Sequence, residues 1–125
     1  MENKRFEELL IAVKGQDQAE IRRADIVRVL KELLRGEFAG VKETRFRIML
    51  KRPETGGCGA VNKVDGIVNL WIDPENWKRD PRFSEESLKS LISHELLHLE
   101  LRLDDDSPLF KIEAKRRNID LWRRP

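Results

Sequence analysis

The segment 84–102 limits what this chain can fold into, because it places both histidines of the chain on one predicted buried helix. Ser84 can cap the start of this helix by accepting a hydrogen bond from its first turn. Leucine and isoleucine recur at helical spacing through the segment and can bury one face against a core. Since His94 and His98 are four residues apart, their imidazoles are expected on the same face, one turn from each other.

The order His94-Glu95-Leu96-Leu97-His98 matches the HExxH pattern of zinc hydrolases. Two neutral imidazoles one turn apart suit a single zinc ion, while an adjacent carboxylate that is not a ligand can take a proton from bound water. We therefore predict Zn²⁺ with His94 and His98 as ligands and Glu95 as general base and acid. The competing interpretation is an ordinary amphipathic helix that carries two partly exposed histidines.

The third zinc ligand is left open by the residues, since the chain has no third histidine. Asp104 has the spacing of a metzincin ligand but lacks the glycine that such chains use to turn. Asp106 stands where SprT-like chains carry a histidine, and Asp105 is expected to be a solvated turn acid. We favour Glu113 because a helix holds a carboxylate more precisely than a turn does. Its competing role is a surface ion pair with Arg117, four residues further on.

Apolar periodicity and turn signals predict the element order ααβββαα in a single domain over 1–125. The predicted elements are helices over 6–13, 19–35, 84–102 and 108–118, and strands over 44–50, 60–64 and 67–72. Asp65-Gly66 suits a two-residue hairpin turn, and Pro108 suits the first position of the last helix. The expected fold is α+β, with N-terminal helices, a three-stranded and mostly antiparallel sheet, the HExxH helix and a C-terminal ligand helix.

The HExxH helix, followed by a tight turn and Glu113-Ala114 on a second helix, resembles the minigluzincins. These are small, soluble archaeal metallopeptidases related to the catalytic domains of HtpX-like and CaaX-processing proteases. The resemblance implies a zincin-like fold, with zinc at His94, His98 and Glu113 and with Glu95 as general base and acid. It also implies that strand 67–72 forms an upper rim, along which a peptide substrate adds as another strand.

Hydrolysis of peptide bonds is therefore the expected activity. A developing oxyanion needs a further donor, and the chain has neither a tyrosine nor a histidine outside the motif. Arg117 is our candidate for this catalytic role, although fixing Glu113 by a hydrogen bond is an equal alternative. Activity is expected to be weak if a terminal segment, such as the tail 121–125, covers the cleft.

The charge balance argues against a global nucleic-acid partner, because 25 Lys and Arg face 23 Asp and Glu. Binding to a polyanion would need a local patch, and the basic excess over 111–125 offers one. The rival functions are therefore an SprT-like nucleic-acid-associated protease and a basic-tail binding module with a structural metal. A zinc hydrolase that acts on substrates other than peptides is a third possibility.

Several further expectations concern compartment and partners. The lone Cys58 excludes an intrachain disulfide and is expected to be inert. The chain shows no signal pattern and no apolar run long enough for a membrane, so a soluble cytoplasmic protein is expected. Trp71, Trp77 and Trp122 are expected to be core or docking residues. An edge strand offers a route to self-association.

Overall fold

The computed structural model describes residues 9–15, 22–54, 59–73 and 85–119, with the backbone alone for 85–87. In chain order, its elements are β1 (Leu10–Lys14), α1 (Arg23–Arg35), β2 (Arg45–Met49), β3 (Gly59–Val64), β4 (Ile67–Ile72), α2 (Glu85–Leu101) and α3 (Pro108–Arg116). The predicted α+β class is confirmed. The narrower zincin-like fold remains a prediction.

The described strands form one four-stranded mixed sheet in the order β1-β2-β4-β3. β1 and β2 pair in parallel, as do β2 and β4, while β3 runs antiparallel to β4. The prediction of three mostly antiparallel strands is therefore wrong. The parallel pairing of β1 with β2 requires a crossover, and α1 supplies it.

The predicted first helix is also wrong where the structure describes it, because Leu10–Lys14 is a strand. Residues 9–13 are a short apolar run, which fits a helical stripe and a two-residue alternation equally well. In the fold Ile11 and Val13 pack against the core while Leu10 is exposed, which is the alternation of a strand. Pairing with β2 decides between the two patterns.

The other elements agree with their predictions. The β3–β4 hairpin turns at Asp65 and Gly66, with φ of 52° and 78°, as a two-residue turn of this type requires. Helix α1 lies within the predicted 19–35 and buries its apolar stripe. α2 follows the predicted 84–102, and α3 begins at Pro108 as predicted, with Ser107 at the N-cap position.

One face of the sheet packs against the helices to form the core. Phe46 and Ile48 of β2 and Val68 and Leu70 of β4 join the apolar residues of α1, α2 and α3 in one buried cluster. Trp71 is half-buried and lies outside this cluster, because alternate strand residues face the opposite side of the sheet. The prediction that Trp71 is a core residue is therefore wrong.

Some predictions concern segments beyond the described ranges. Cys58, Trp77, Trp122 and the tail 121–125 lie outside the described residues. Within the described residues, no helix has the length and apolar character needed to cross a bilayer.

The central position of β2 gives a test of the sheet. Ile48 is 0% exposed, whereas Val64 at the hairpin end is 54% exposed. Ile48→Ala should lower the free energy of unfolding by about 2–5 kcal/mol, because it leaves a cavity between the sheet and the helices. Val64→Ala should change it by about 0.5 kcal/mol. Equal effects in urea denaturation would contradict the burial of Ile48 of β2 between the sheet and the helices.

Candidate metal centre

Three side chains converge at the end of α2. The Nε2 atoms of His94 and His98 lie 3.0 Å apart. Asp105 Oδ1 lies 3.1 Å from the first nitrogen and 2.9 Å from the second. Among the described residues, His94, His98 and Asp105 form a group whose ligand atoms could hold a metal ion.

The turn after α2 brings Asp105 to the histidines. Arg102 adopts a left-handed φ of 57°, which ends the helix and reverses the chain. Asp104 then holds the turn, since its Oδ1 accepts a hydrogen bond of 3.1 Å from the amide of Asp106 and its carbonyl accepts one of 3.2 Å from the amide of Ser107. Asp104 therefore shapes the turn, and Asp105 is the acid that reaches the histidines.

The protonation of His98 follows from its neighbours. His98 Nδ1 lies 2.7 Å from the carbonyl oxygen of Leu103, and since a carbonyl only accepts, Nδ1 carries the proton. In a neutral ring Nε2 is then a lone-pair acceptor, yet it faces the acceptor-only carboxylate of Asp105 at 2.9 Å. Two facing acceptors require a cation or a second proton between them. The donor set therefore fits a metal ion.

The size and exposure of the group agree with this interpretation. Ligand atoms on a tetrahedral zinc ion with bonds of about 2.0–2.1 Å lie about 3.3 Å from one another, close to the distances seen here. The side chains of His94 and His98 are 5% and 14% exposed, while that of Asp105 is 58% exposed. The group is therefore enclosed by α2 on the histidine side and open to solvent on the carboxylate side.

Phe110 of α3 forms a wall of the site. Its ring stacks on His98 with centroids 4.0 Å apart and an interplanar angle of 7°. It meets His94 edge-on at 5.4 Å. Phe110 is fully buried, so it limits the orientations of both imidazoles. The sequence places Phe110 on the last helix, at the end of the run Asp-Ser-Pro-Leu-Phe, and gives no sign of this contact.

Glu95 is buried beside the histidines and close to β3. Burial raises the pKa of its carboxyl to about 8, and the negative charge of Asp105 adds to the effect. A Cβ at Gly59 would lie 3.3 Å from Glu95 Oε2 and 3.0 Å from the carbonyl oxygen of Trp71. The strand therefore approaches Glu95 closely only because Gly59 has no side chain.

Glu113 and Arg117 lie in a separate ion-pair cluster. Glu113 Oε1 accepts a hydrogen bond of 2.8 Å from Arg117 Nε and is also bound by Arg116. Arg117 Nη2 lies 2.7 Å from Glu100 Oε2 of α2. These contacts hold the pKa of Glu113 at about 2. The i, i+4 ion pair with Arg117, the competing role of Glu113, is thus present, while the ligand role of Glu113 and the oxyanion role of Arg117 remain predictions.

The structure thus places Asp105, and not the favoured Glu113, beside both histidines. Sequence reasoning missed Asp105 because three consecutive acids follow α2 and the spacing alone does not choose among them. The choice depends on the left-handed turn at Arg102, for which an arginine gives no signal.

The rim implied by the resemblance does not lie on strand 67–72. That strand, β4, pairs with β2 on one side and with β3 on the other. A peptide can add only to a strand with an unpaired edge, so β4 cannot accept one. Its inward residues instead belong to the core.

Comparison with known proteins identifies no relative: no protein-family model, no curated protein and no solved structure matches the chain. The resemblance to minigluzincins therefore rests on the residue pattern alone.

The raised pKa of Glu95 predicts a pH dependence of stability in metal-free protein. The folded state keeps this proton up to pH about 8, whereas the unfolded chain loses it near the ordinary value of 4.5. The contribution of protonated Glu95 to the free energy of unfolding should be fully present below pH 4.5 and lost as pH rises through about 8. Over this range the wild type should therefore lose stability relative to a Glu95→Gln variant. Urea denaturation of both proteins in EDTA across this range tests the difference, and parallel pH profiles would contradict it.

Proposed function

We propose that this protein is a zinc-dependent hydrolase whose ligands are His94, His98 and Asp105 and whose general base and acid is Glu95. The convergence of two imidazole nitrogens and one carboxylate oxygen at mutual distances of 2.9–3.1 Å supports the proposal most strongly. Two imidazoles with one carboxylate are a common ligand set of catalytic zinc. Such a set, without thiolates, suits zinc better than a hard cation such as magnesium.

The exposure of the centre favours a catalytic metal over a purely structural one. A structural zinc is usually closed by four protein ligands, whereas a catalytic zinc keeps a position for water or substrate. Here three ligands are grouped among the described residues, and the Asp105 side chain faces solvent. This is the observation that argues against the rival function of a basic-tail module with a structural metal.

Each of the protein's own residues around the centre has a separate role. The Leu103 carbonyl keeps the proton of His98 on Nδ1 and so directs Nε2 toward the centre. Phe110 fixes both rings. When bound, zinc polarises a carbonyl oxygen and acidifies a coordinated water. We assign to Glu95, next to His94 in sequence, the role of accepting a proton and returning it to a leaving amine.

Peptides are the substrate class that we propose, and this choice comes from the minigluzincin resemblance.

Burial and the charge of Asp105 keep Glu95 protonated in the metal-free protein. A divalent cation at the histidines favours the charged carboxylate by an opposite charge at short range. With a divalent cation at the histidines, Glu95 would be in the charged form that accepts a proton.

Zinc titrations test the ligand set. Wild-type protein should contain about one zinc per chain by elemental analysis. His98→Ala and Asp105→Asn should each weaken zinc affinity by more than the 10- to 100-fold that follows loss of an outer hydrogen-bond partner. Asp106→Asn is the matched control, because it neutralises the neighbouring acid, and its affinity should stay close to that of the wild type.

Glu113→Gln decides between the two candidate third ligands. If Glu113 only binds Arg116 and Arg117, this variant should keep zinc affinity while losing some stability. A large loss of zinc affinity in Glu113→Gln together with an unaffected Asp105→Asn would transfer the ligand role to Glu113. It would also show that α3 rearranges when the metal binds.

The role of Glu95 has its own test. Glu95→Gln should retain zinc but lower hydrolysis of a quenched fluorescent peptide library by about 10²-fold or more, because it removes proton transfer and no ligand. Glu32→Gln, on the exposed surface of α1, should leave hydrolysis unchanged. Zinc-loaded protein that cleaves no peptide, with or without residues 121–125, would reject peptides as the substrate class.

A further inference from the structure

The face of the sheet opposite the core carries a second set of chemically distinctive residues. We call it the open face and define it by Lys14, Arg45, Arg47, Met49, Asn69 and Trp71. They alternate along their strands with the residues that pack against the helices. The candidate metal centre lies among the helices on the other side of the sheet.

The open face is positively charged. Lys14, Arg45 and Arg47 are exposed, and none of them forms an ion pair with another described residue. Arg45 and Arg47 are two residues apart on β2 and so project from the same side. Lys14 is opposite Met49 in the register of β1 with β2. Asp65, at the hairpin turn, adds an acid at the edge of this face.

An aromatic ring lies on the same face of the sheet as these cations. Trp71 is half-buried and pairs in register with Met49, while Asn69 pairs with Arg47. Arg47, Met49, Asn69 and Trp71 line one shallow depression of the sheet. A large ring beside a guanidinium in a shallow depression can take a flat, unstacked base and the phosphate attached to it.

From this juxtaposition we propose that the open face binds single-stranded nucleic acid, with backbone phosphates on Lys14, Arg45 and Arg47 and a base stacked on Trp71. Open sheets that present aromatic rings beside cations bind single strands in this way, because unstacked bases can lie flat on them. The paired bases of a duplex are stacked and cannot reach the ring. Because the total charge is near neutral, a polyanion needs a local basic patch to bind. The open face provides such a patch.

The charges also argue against a second copy of this chain as the occupant. Face-to-face packing of two copies would bring like charges together at the three cations. An extended polyanion neutralises them. The proposal does not depend on the metal centre, since none of the three metal-site residues belongs to the open face.

Fluorescence anisotropy with a labelled oligothymidylate of about 15 nucleotides tests the proposal, since this length is within the usual range of site sizes. Wild-type protein should bind at low salt. Trp71→Leu, which keeps an apolar side chain but removes the ring, should weaken binding about tenfold or more. Trp71→Phe should keep most of the affinity because it retains a ring for stacking.

The double variant Arg45→Gln/Arg47→Gln tests the phosphate contacts. Each lost contact to a single strand lowers the slope of log affinity against log salt by about 0.7, so the slope should fall by about 1.4. Lys111→Gln/Lys115→Gln is the matched control, because it removes the same charge from the exposed side of α3. Its slope should equal that of the wild type. His98→Ala should bind the oligonucleotide like the wild type, even if it no longer binds zinc.

Three results would overturn the proposal. The first is no binding at low salt. The second is a slope that falls in the Lys111→Gln/Lys115→Gln control and not in the arginine variant, which would place a polyanion site on the basic end of the chain. The third is equal binding of polyglutamate or phosphatidylserine vesicles with no effect of Trp71→Leu, which would make the open face a general anion surface.

Discussion

The packing of α2 is the constraint on which the candidate site depends. Leu91, Ile92, Leu96 and Leu97 are buried in the core and thereby fix the rotation of the helix about its axis. Because the histidines belong to the same helix, their directions are fixed by that burial as well. The left-handed turn at Arg102 then reverses the chain. Asp105, in the turn before α3, and Phe110, on α3, thereby reach the imidazoles.

The total charge of +2 conceals a local group of cations on the open face. The open face carries three cations on the same side of the sheet as Trp71, while Asp105 and Glu95 lie by the histidines on the helical side. The two sites therefore differ in chemistry. The carboxylate beside the histidines suits a metal cation, and the cations of the open face suit an extended anion.

Features that depend on local chemistry could be predicted from the sequence. The HExxH helix, the turn at Asp65 and Gly66 and the start of α3 follow from spacing, glycine and proline. β1 could not, because its short apolar run fits two periods and its partner β2 lies about 30 residues later, beyond a crossover helix. Asp105 could not be selected among the three consecutive acids either. Its position depends on the left-handed turn at Arg102, which no glycine or asparagine marks in the sequence.

Anomalous diffraction at the zinc edge from zinc-loaded crystals tests the central claim most directly. The proposed ligand set predicts one strong peak within about 2.0–2.2 Å of His94 Nε2, His98 Nε2 and Asp105 Oδ1. The Glu113 carboxylate should remain on Arg116 and Arg117. A peak coordinated by Glu113 in place of Asp105, or a peak away from the histidines, would contradict the proposed metal centre.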